Sequence, residues 1–224
     1  MTAPPALATR RTGRLWWAGL ELVAAATAVA LDLLIPAFVI LVMAAVSLTL
    51  RRESPASLGF HRLQAPMRTA GVVALLVAGW STLQVGFFMP LLERATGESQ
   101  DFGVFDELQG DVGLLVLLIL ASWVLGALVE ETAFRGLVLT RITELFGSRA
   151  GARLFAVLGA AVLFAAIHTE QGTVGVAVTF LDGLFFGWLR FHYGSVWVAV
   201  LAHGFSNTLG LLVFFTWGSM GGLW

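Results

Sequence analysis

The sequence contains no cysteine and no lysine; all thirteen basic residues are arginines. Without thiols there can be no disulfide scaffold, no Cys-ligated zinc or iron–sulfur site and no cysteine nucleophile. Charge of either sign is scarce. The 224 residues carry thirteen basic and fourteen acidic side chains, 12% of the chain, against about 25% in an ordinary soluble domain. A soluble globule of this length could not cover its surface with so few. The net charge of −1 gives no electrostatic reason to expect a nucleic-acid partner. Apolar residues are abundant, at 58%, which excludes disorder. This composition belongs to an integral membrane protein, and the length suits one domain of several spans.

The first long apolar run, Leu15 to Leu50, is broken only by Glu21 and Asp32. As one helix it would be roughly 54 Å long, well beyond a hydrocarbon core of about 30 Å. Two spans turning near Asp32–Pro36 fit better. Further runs are Ala70–Leu92, Val112–Val129, Leu154–His168, Thr173–Leu189 and Ser195–Trp217. Gly136–Phe146 adds either an eighth helix or a continuation of the fourth span. The expected fold is all-α, a polytopic transmembrane bundle of seven to eight helices. It divides into an N-terminal segment (residues 1–14), N-terminal helices with their loops (15–111) and a C-terminal helical core (112–224).

Arg10, Arg11 and Arg14 precede the first span, and Arg51, Arg52, Arg62 and Arg68 follow the second. The loop Glu93–Asp111 carries one arginine and six carboxylates. The positive-inside rule puts the N-terminus and the Arg51–Arg68 loop in the cytoplasm, and a bacterial cell membrane is the expected location. The N-terminus imitates a signal peptide, with Ala28-Val29-Ala30 resembling a cleavage site. Glu21 interrupts its apolar stretch and more membrane follows, so a retained span is expected. Ser54–Gly59 reads as a polar connector.

Ionisable groups within spans are costly and are candidates for function. The second half offers Glu130-Glu131-x-x-x-Arg135, His168, Asp182, His203 and Asn207; the first offers only Glu21 and Asp32. Glu131 and Arg135 are four apart, share a helix face and can pair; Glu130 points about 100° away. His203 and Asn207 also share a face. If the fourth span runs on to Phe146 and turns at Gly147–Gly151, Glu130 and His168 both lie about 16–17 residues, roughly 24–26 Å, from that turn. His203 and Asn207 rise roughly 14–20 Å from the next turn on that side, at Tyr193–Gly194. One layer holding Glu130, His168, His203 and Asn207 follows.

A carboxylate beside a histidine can hold and deprotonate water. A second histidine and an amide can donate hydrogen bonds to a tetrahedral oxyanion. Together they suit amide hydrolysis by activated water. Ser122 and Ser206 lack a nucleophile-elbow context. Glu130, His168 and His203 could alternatively hold a catalytic zinc with one position open to water, although the usual H-E-x-x-H helix is absent.

Glu130-Glu131-x-x-x-Arg135, Phe164-x-x-x-His168 and His203-x-x-x-Asn207, in that order, resemble the three motifs of the CPBP family, the CAAX-type prenyl endopeptidases and related bacteriocin-processing or immunity proteins, also called Abi proteins. Gly183-Leu184-x-x-Gly187-Trp188-Leu189 and Gly194-Ser195-Val196-Trp197 share the resemblance, which covers about residues 112–210. It implies an α-helical intramembrane endopeptidase of about eight spans. Glu130 and His168 would then activate the water, His203 and Asn207 would stabilise the oxyanion, and Glu131 and Arg135 would brace the site. The family is described both as metalloprotease and as metal-free; a metal-free mechanism is the expectation, with a divalent metal such as zinc as the alternative. Implied partners are membrane lipid and a peptide or lipidated protein substrate.

Simpler roles compete. Glu131–Arg135 is first a buried ion pair that fixes packing. Asn207 could bond between helices, and Asp182 could line the cavity or cap a neighbour, with a structural role favoured. Two other functions fit the composition: a non-proteolytic immunity or scaffold protein on the same fold, and a transporter using Asp182, Glu130 and the histidines as a proton relay. The sequence shows no inverted repeat to support the transporter.

Overall fold

The computed structural model describes the backbone of residues 5–147 and 149–218, and side chains from residue 12 onward. The outermost ends of the 1–14 and 112–224 segments, residues 1–4 and 219–224, lie outside the described residues. Seven helices and three short 3₁₀ turns account for the regular structure, and no strand occurs among the described residues. The helices are α1 (Pro5–Ala30), α2 (Pro36–Arg51), α3 (Pro66–Thr96), α4 (Val112–Phe146), α5 (Ala150–Ala166), α6 (Gly172–Tyr193) and α7 (Val196–Trp217). Four of them, α3, α4, α6 and α7, are long and apolar enough to cross a membrane. The protein is an all-α integral membrane bundle.

The turns fall where the residues dictate. Pro36 and Pro66 sit in the first turns of α2 and α3, where a missing N–H is harmless. The Asp111 carboxylate caps α4 by accepting from the Leu114 amide, and Ser195 caps α7 by accepting from the Trp197 amide. Gly194 ends α6 with φ +69°, a conformation that glycine takes without strain. The long Leu15–Leu50 run divides at Leu31–Ile35, as its length required, and α1 begins at Pro5, ahead of the apolar run.

Gly136–Phe146 is no separate helix but the end of α4, whose 35 residues would extend roughly 52 Å. Helix α4 is the central element. It packs against α1, α2, α5 and α7, while α5 packs along α6 and α3 packs on α7 and α6. The main core cluster joins Phe134, Leu137 and Val138 of α4 to Ile40 of α2 and to Ala156, Ala160 and Phe164 of α5.

The side chains of Arg51 and Arg141 are buried with Glu21 in an ionic cluster. Arg141 Nε donates to Glu21 Oε2 at 2.6 Å, and its Nη2 to Ser47 Oγ at 2.8 Å. Glu53 and Glu144 complete the pairing with Arg51 and Arg141, and the more exposed Arg14 reaches both. Three arginines balance three glutamates. The charge of Glu21, which interrupts the first apolar run, is thereby neutralised, and α1, α2 and α4 are tied together at one end of the bundle. Asp32 lies in the turn at the other end, with φ +46°.

Candidate active site

Through its middle, α4 is wound with i→i+5 hydrogen bonding over Ser122–Glu130 and Thr132–Val138. Such widened turns occur mostly at functional positions. Two consecutive glutamates emerge here in different directions. Glu131 is fully buried. Its Oε1 accepts from Arg135 Nη1 at 2.8 Å and from His203 Nδ1 at 2.9 Å. Arg135, equally buried, also donates from Nη2 to the Gly183 carbonyl at 3.2 Å, and its guanidinium lies 4.2 Å from the Phe164 ring centroid. Charge, a carbonyl and an aromatic face together hold this cation, with Nε left buried and unpartnered.

Glu130 turns to the opposite side and lines a cavity of about 810 Å³. Its Oε2 is buried without a hydrogen-bond partner and stands 3.8 Å from His168 Nε2. His168 follows the end of α5, and its Nδ1 lies 2.8 Å from the Phe164 carbonyl oxygen. A carbonyl can only accept, so Nδ1 carries a proton, and Nε2 is the ring nitrogen directed toward Glu130.

His203 and Asn207 project from α7 into the same cavity. With His203 Nδ1 bonded to Glu131, its Nε2 is left facing Gly126. A Cβ placed on Gly126 would lie 3.7 Å from His203 Nε2 and 3.0 Å from Asn207 Nδ2, so the absent side chain leaves room for both groups. Gly204, between them in sequence, is covered by the Trp123 indole, which a Cβ there would meet at 2.6 Å. Trp123 Nε1 donates to Thr208 Oγ1 at 3.0 Å, and its ring packs edge-on to Phe205. These contacts fix the α4–α7 register that sets His203 beside Glu131.

The structure thus gathers Glu130, His168, His203 and Asn207 around one cavity and leaves Glu131 and Arg135 behind its wall. Asp182 joins the lining. Its Oδ1 accepts from Trp80 Nε1 at 2.7 Å and Gln84 Nε2 at 3.0 Å. Sequence reasoning passed over Trp80 and Gln84; the one available signal was an amide inside the apolar run Ala70–Leu92. Ser122 and Ser206 also line the cavity, but the Ser122 hydroxyl donates to the Ile119 carbonyl. His192 lies in the last turn of α6, exposed and stacked on Trp188. Among the described residues, no three His, Asp or Glu side chains are grouped so as to hold a metal ion, and Glu130, His168 and His203 are not so arranged.

Residues 112–209, from the start of α4 through His203 and Asn207 of α7, match the family model described as type II CAAX prenyl endopeptidase, Rce1-like. This stretch is an Rce1-like CAAX endopeptidase domain. No curated protein and no solved structure matches the chain. The Rce1-like domain covers every residue of the three motifs and most of the cavity wall, and leaves out α1, α2 and α3. An intramembrane protease is the kind of function it supports.

Proposed function

We propose that the Rce1-like domain hydrolyses a peptide bond with water activated by Glu130 and His168, and that His203 and Asn207 hold the oxyanion. The observation that carries this reading is the sorting of two adjacent glutamates. Glu131 is neutralised by Arg135 behind the wall, while Glu130 lines the cavity with no arginine against it and stands 3.8 Å from His168 Nε2. The 3.8 Å between Glu130 Oε2 and His168 Nε2 is too long for a direct hydrogen bond. One water oxygen can bridge it by donating to both acceptors, which turns its own lone pair toward a substrate carbonyl.

The oxygen attacks the carbonyl carbon as Glu130 takes a proton, and a tetrahedral oxyanion forms. Asn207 Nδ2 donates to it directly. His203 Nδ1–H already binds Glu131, so donation from Nε2 requires the doubly protonated ring, whose charge the Glu131 carboxylate offsets. Glu130 then returns its proton to the leaving nitrogen, and the C–N bond breaks to give a new carboxyl terminus and a new amine. Arg135 holds Glu131 in place throughout and touches no reacting atom.

The metal-free route is the one proposed, because the donor set does not converge. Cleavage should persist after exhaustive chelation and dialysis; its loss, with recovery on adding zinc, would contradict this. The broader test uses Glu130→Gln, His168→Ala and His203→Ala in the purified, membrane-reconstituted chain. Each is expected to lower peptide cleavage by about 10²–10⁴-fold while thermal unfolding stays cooperative. Full activity in all three sinks the reading.

The N-terminus is proposed to face the cytoplasm, because Arg14, Arg51 and Arg141 gather at that end of the bundle. The cavity's outer rim, built from residues 100–105 with Glu170 and Gln171, then lies toward the opposite face.

A further inference from the structure

Asp182 is a carboxylate in a membrane-spanning helix with no cation in ion-pair contact; Arg135, which donates to the neighbouring Gly183 carbonyl, and His203 lie beyond that distance. Among the described residues it forms no ion pair; its two partners, Trp80 and Gln84, are neutral donors. Ionisable groups at membrane depth are normally paired with an opposite charge or mark a substrate path. Glu131 follows the first pattern, with Arg135 against it. Asp182 fits the second.

The surroundings are built to aim this side chain. Both donors converge on Oδ1, and no described group donates to Oδ2. Gln84 opens a widened segment of α3, Gln84–Phe88, and the Trp80 ring stacks on Phe185 with centroids 4.9 Å apart. One oxygen is therefore held by a rigid shell, and the residue as a whole lines the cavity. The remaining charges on the cavity lining share one sign. Asp101, Glu130 and Glu170 are present and no arginine is, while lysine is absent from the chain. Besides the two histidines, the lining offers a substrate only carboxylate charge, which favours a cation over an acidic group, and Asp182 is the carboxylate there held by neutral donors alone.

We propose that Asp182 is a specificity-determining residue that receives a cationic group of the peptide substrate, a Lys or Arg side chain or a free amine, close to the scissile bond. This rests on the endopeptidase reading above. The probes are membrane-anchored peptides differing at a single position flanking the cleaved bond, with Lys, norleucine or Glu, and a matched pair with free or acetylated N-terminus. The reconstituted wild-type chain should favour Lys over norleucine by about tenfold in kcat/KM, with Glu poorest. Asp182→Asn keeps an acceptor for Trp80 and Gln84 but removes the charge. It should bring the Lys and norleucine values within about twofold of each other, through KM. Loss of preference on acetylation alone would assign the cation to the terminal amine. An equal fall for all three peptides, or an intact Lys preference, overturns the proposal. Peptide binding to Glu130→Gln and to Glu130→Gln/Asp182→Asn decides it even if no peptide is cut. Tighter Lys binding confined to the first variant supports the cation site, and equal binding contradicts it; cleavage by Glu130→Gln would overturn the water-activation reading instead.

Discussion

Glu130 and Glu131 are neighbours in sequence with opposite surroundings, and the site turns on that difference. Glu131 shares one oxygen between Arg135 and His203, so removing its charge leaves Arg135 as a buried, unpaired cation. Breaking such a pair from one side typically costs about 3–5 kcal/mol, while replacing both partners with apolar groups is often neutral. Glu131→Gln should therefore lower the thermal midpoint strongly. Glu131→Gln with Arg135→Met should recover most of the stability but not the activity, because His203 still lacks the carboxylate that offsets its second proton. Unfolding and turnover measured on the same samples would separate the two effects; recovery of both would count against the assigned role of His203. At Gly126, alanine would put a Cβ 3.0 Å from Asn207 Nδ2. We expect cooperative folding with turnover reduced severalfold, checked by kinetics at saturating substrate.

Helices α4 and α7 carry three of the four proposed catalytic side chains, and their contact depends on Gly204 against Trp123. A Cβ at Gly204 would meet the indole at 2.6 Å. Gly204→Ala should force the helices apart, shift the Trp123 emission and reduce cleavage more than Gly126→Ala does. Unchanged emission with unchanged rate would show that the seam tolerates the methyl group. Much at this scale was legible in the sequence. The length of Leu15–Leu50 required a turn near Asp32, and counting residues along the α4–α5 hairpin set Glu130 and His168 at one depth, where they stand 3.8 Å apart. The i→i+5 winding of α4 was not legible, because it conserves the hydropathy pattern and changes only the hydrogen-bond register. Trp80 and Gln84 escaped notice for a related reason. A neutral amide or an indole in an apolar run is unremarkable until another helix brings a carboxylate to it.

Across the whole molecule, two groups of polar residues stand out, a structural set and a cavity set. The structural set staples α1 and α2 to α4 through Glu21, Glu53 and Glu144 with Arg14, Arg51 and Arg141. The burial of Arg141 was not legible in the sequence, because it depends on α1 and α2 bringing Glu21 and Ser47 to α4. Burial opposes the charge of Glu53, but Arg51, Arg141 and Arg14 outweigh it and hold this loop carboxyl below its ordinary value of 4.5. A depressed carboxyl contributes stability that is fully present above its unfolded-state value and is lost as pH falls through the folded one. The thermal midpoint in detergent should therefore be insensitive to Glu53 ionisation down to about pH 4.5 and fall below it. Glu53→Gln should lower the midpoint at neutral pH and flatten the acid limb; an unchanged acid limb would remove Glu53 from the stabilising set. The cavity set, Glu130, His168, His203, Asn207 and Asp182, has no arginine in ion-pair contact with Glu130 or Asp182 among the described residues, and the account rests on it. The most direct test is mass-spectrometric detection of new peptide termini in liposomes containing a membrane-anchored peptide library and either the wild-type chain or Glu130→Gln. The account predicts new termini with the wild type and none above background with Glu130→Gln of equal thermal midpoint. New termini appearing at the same rate with both proteins would contradict it.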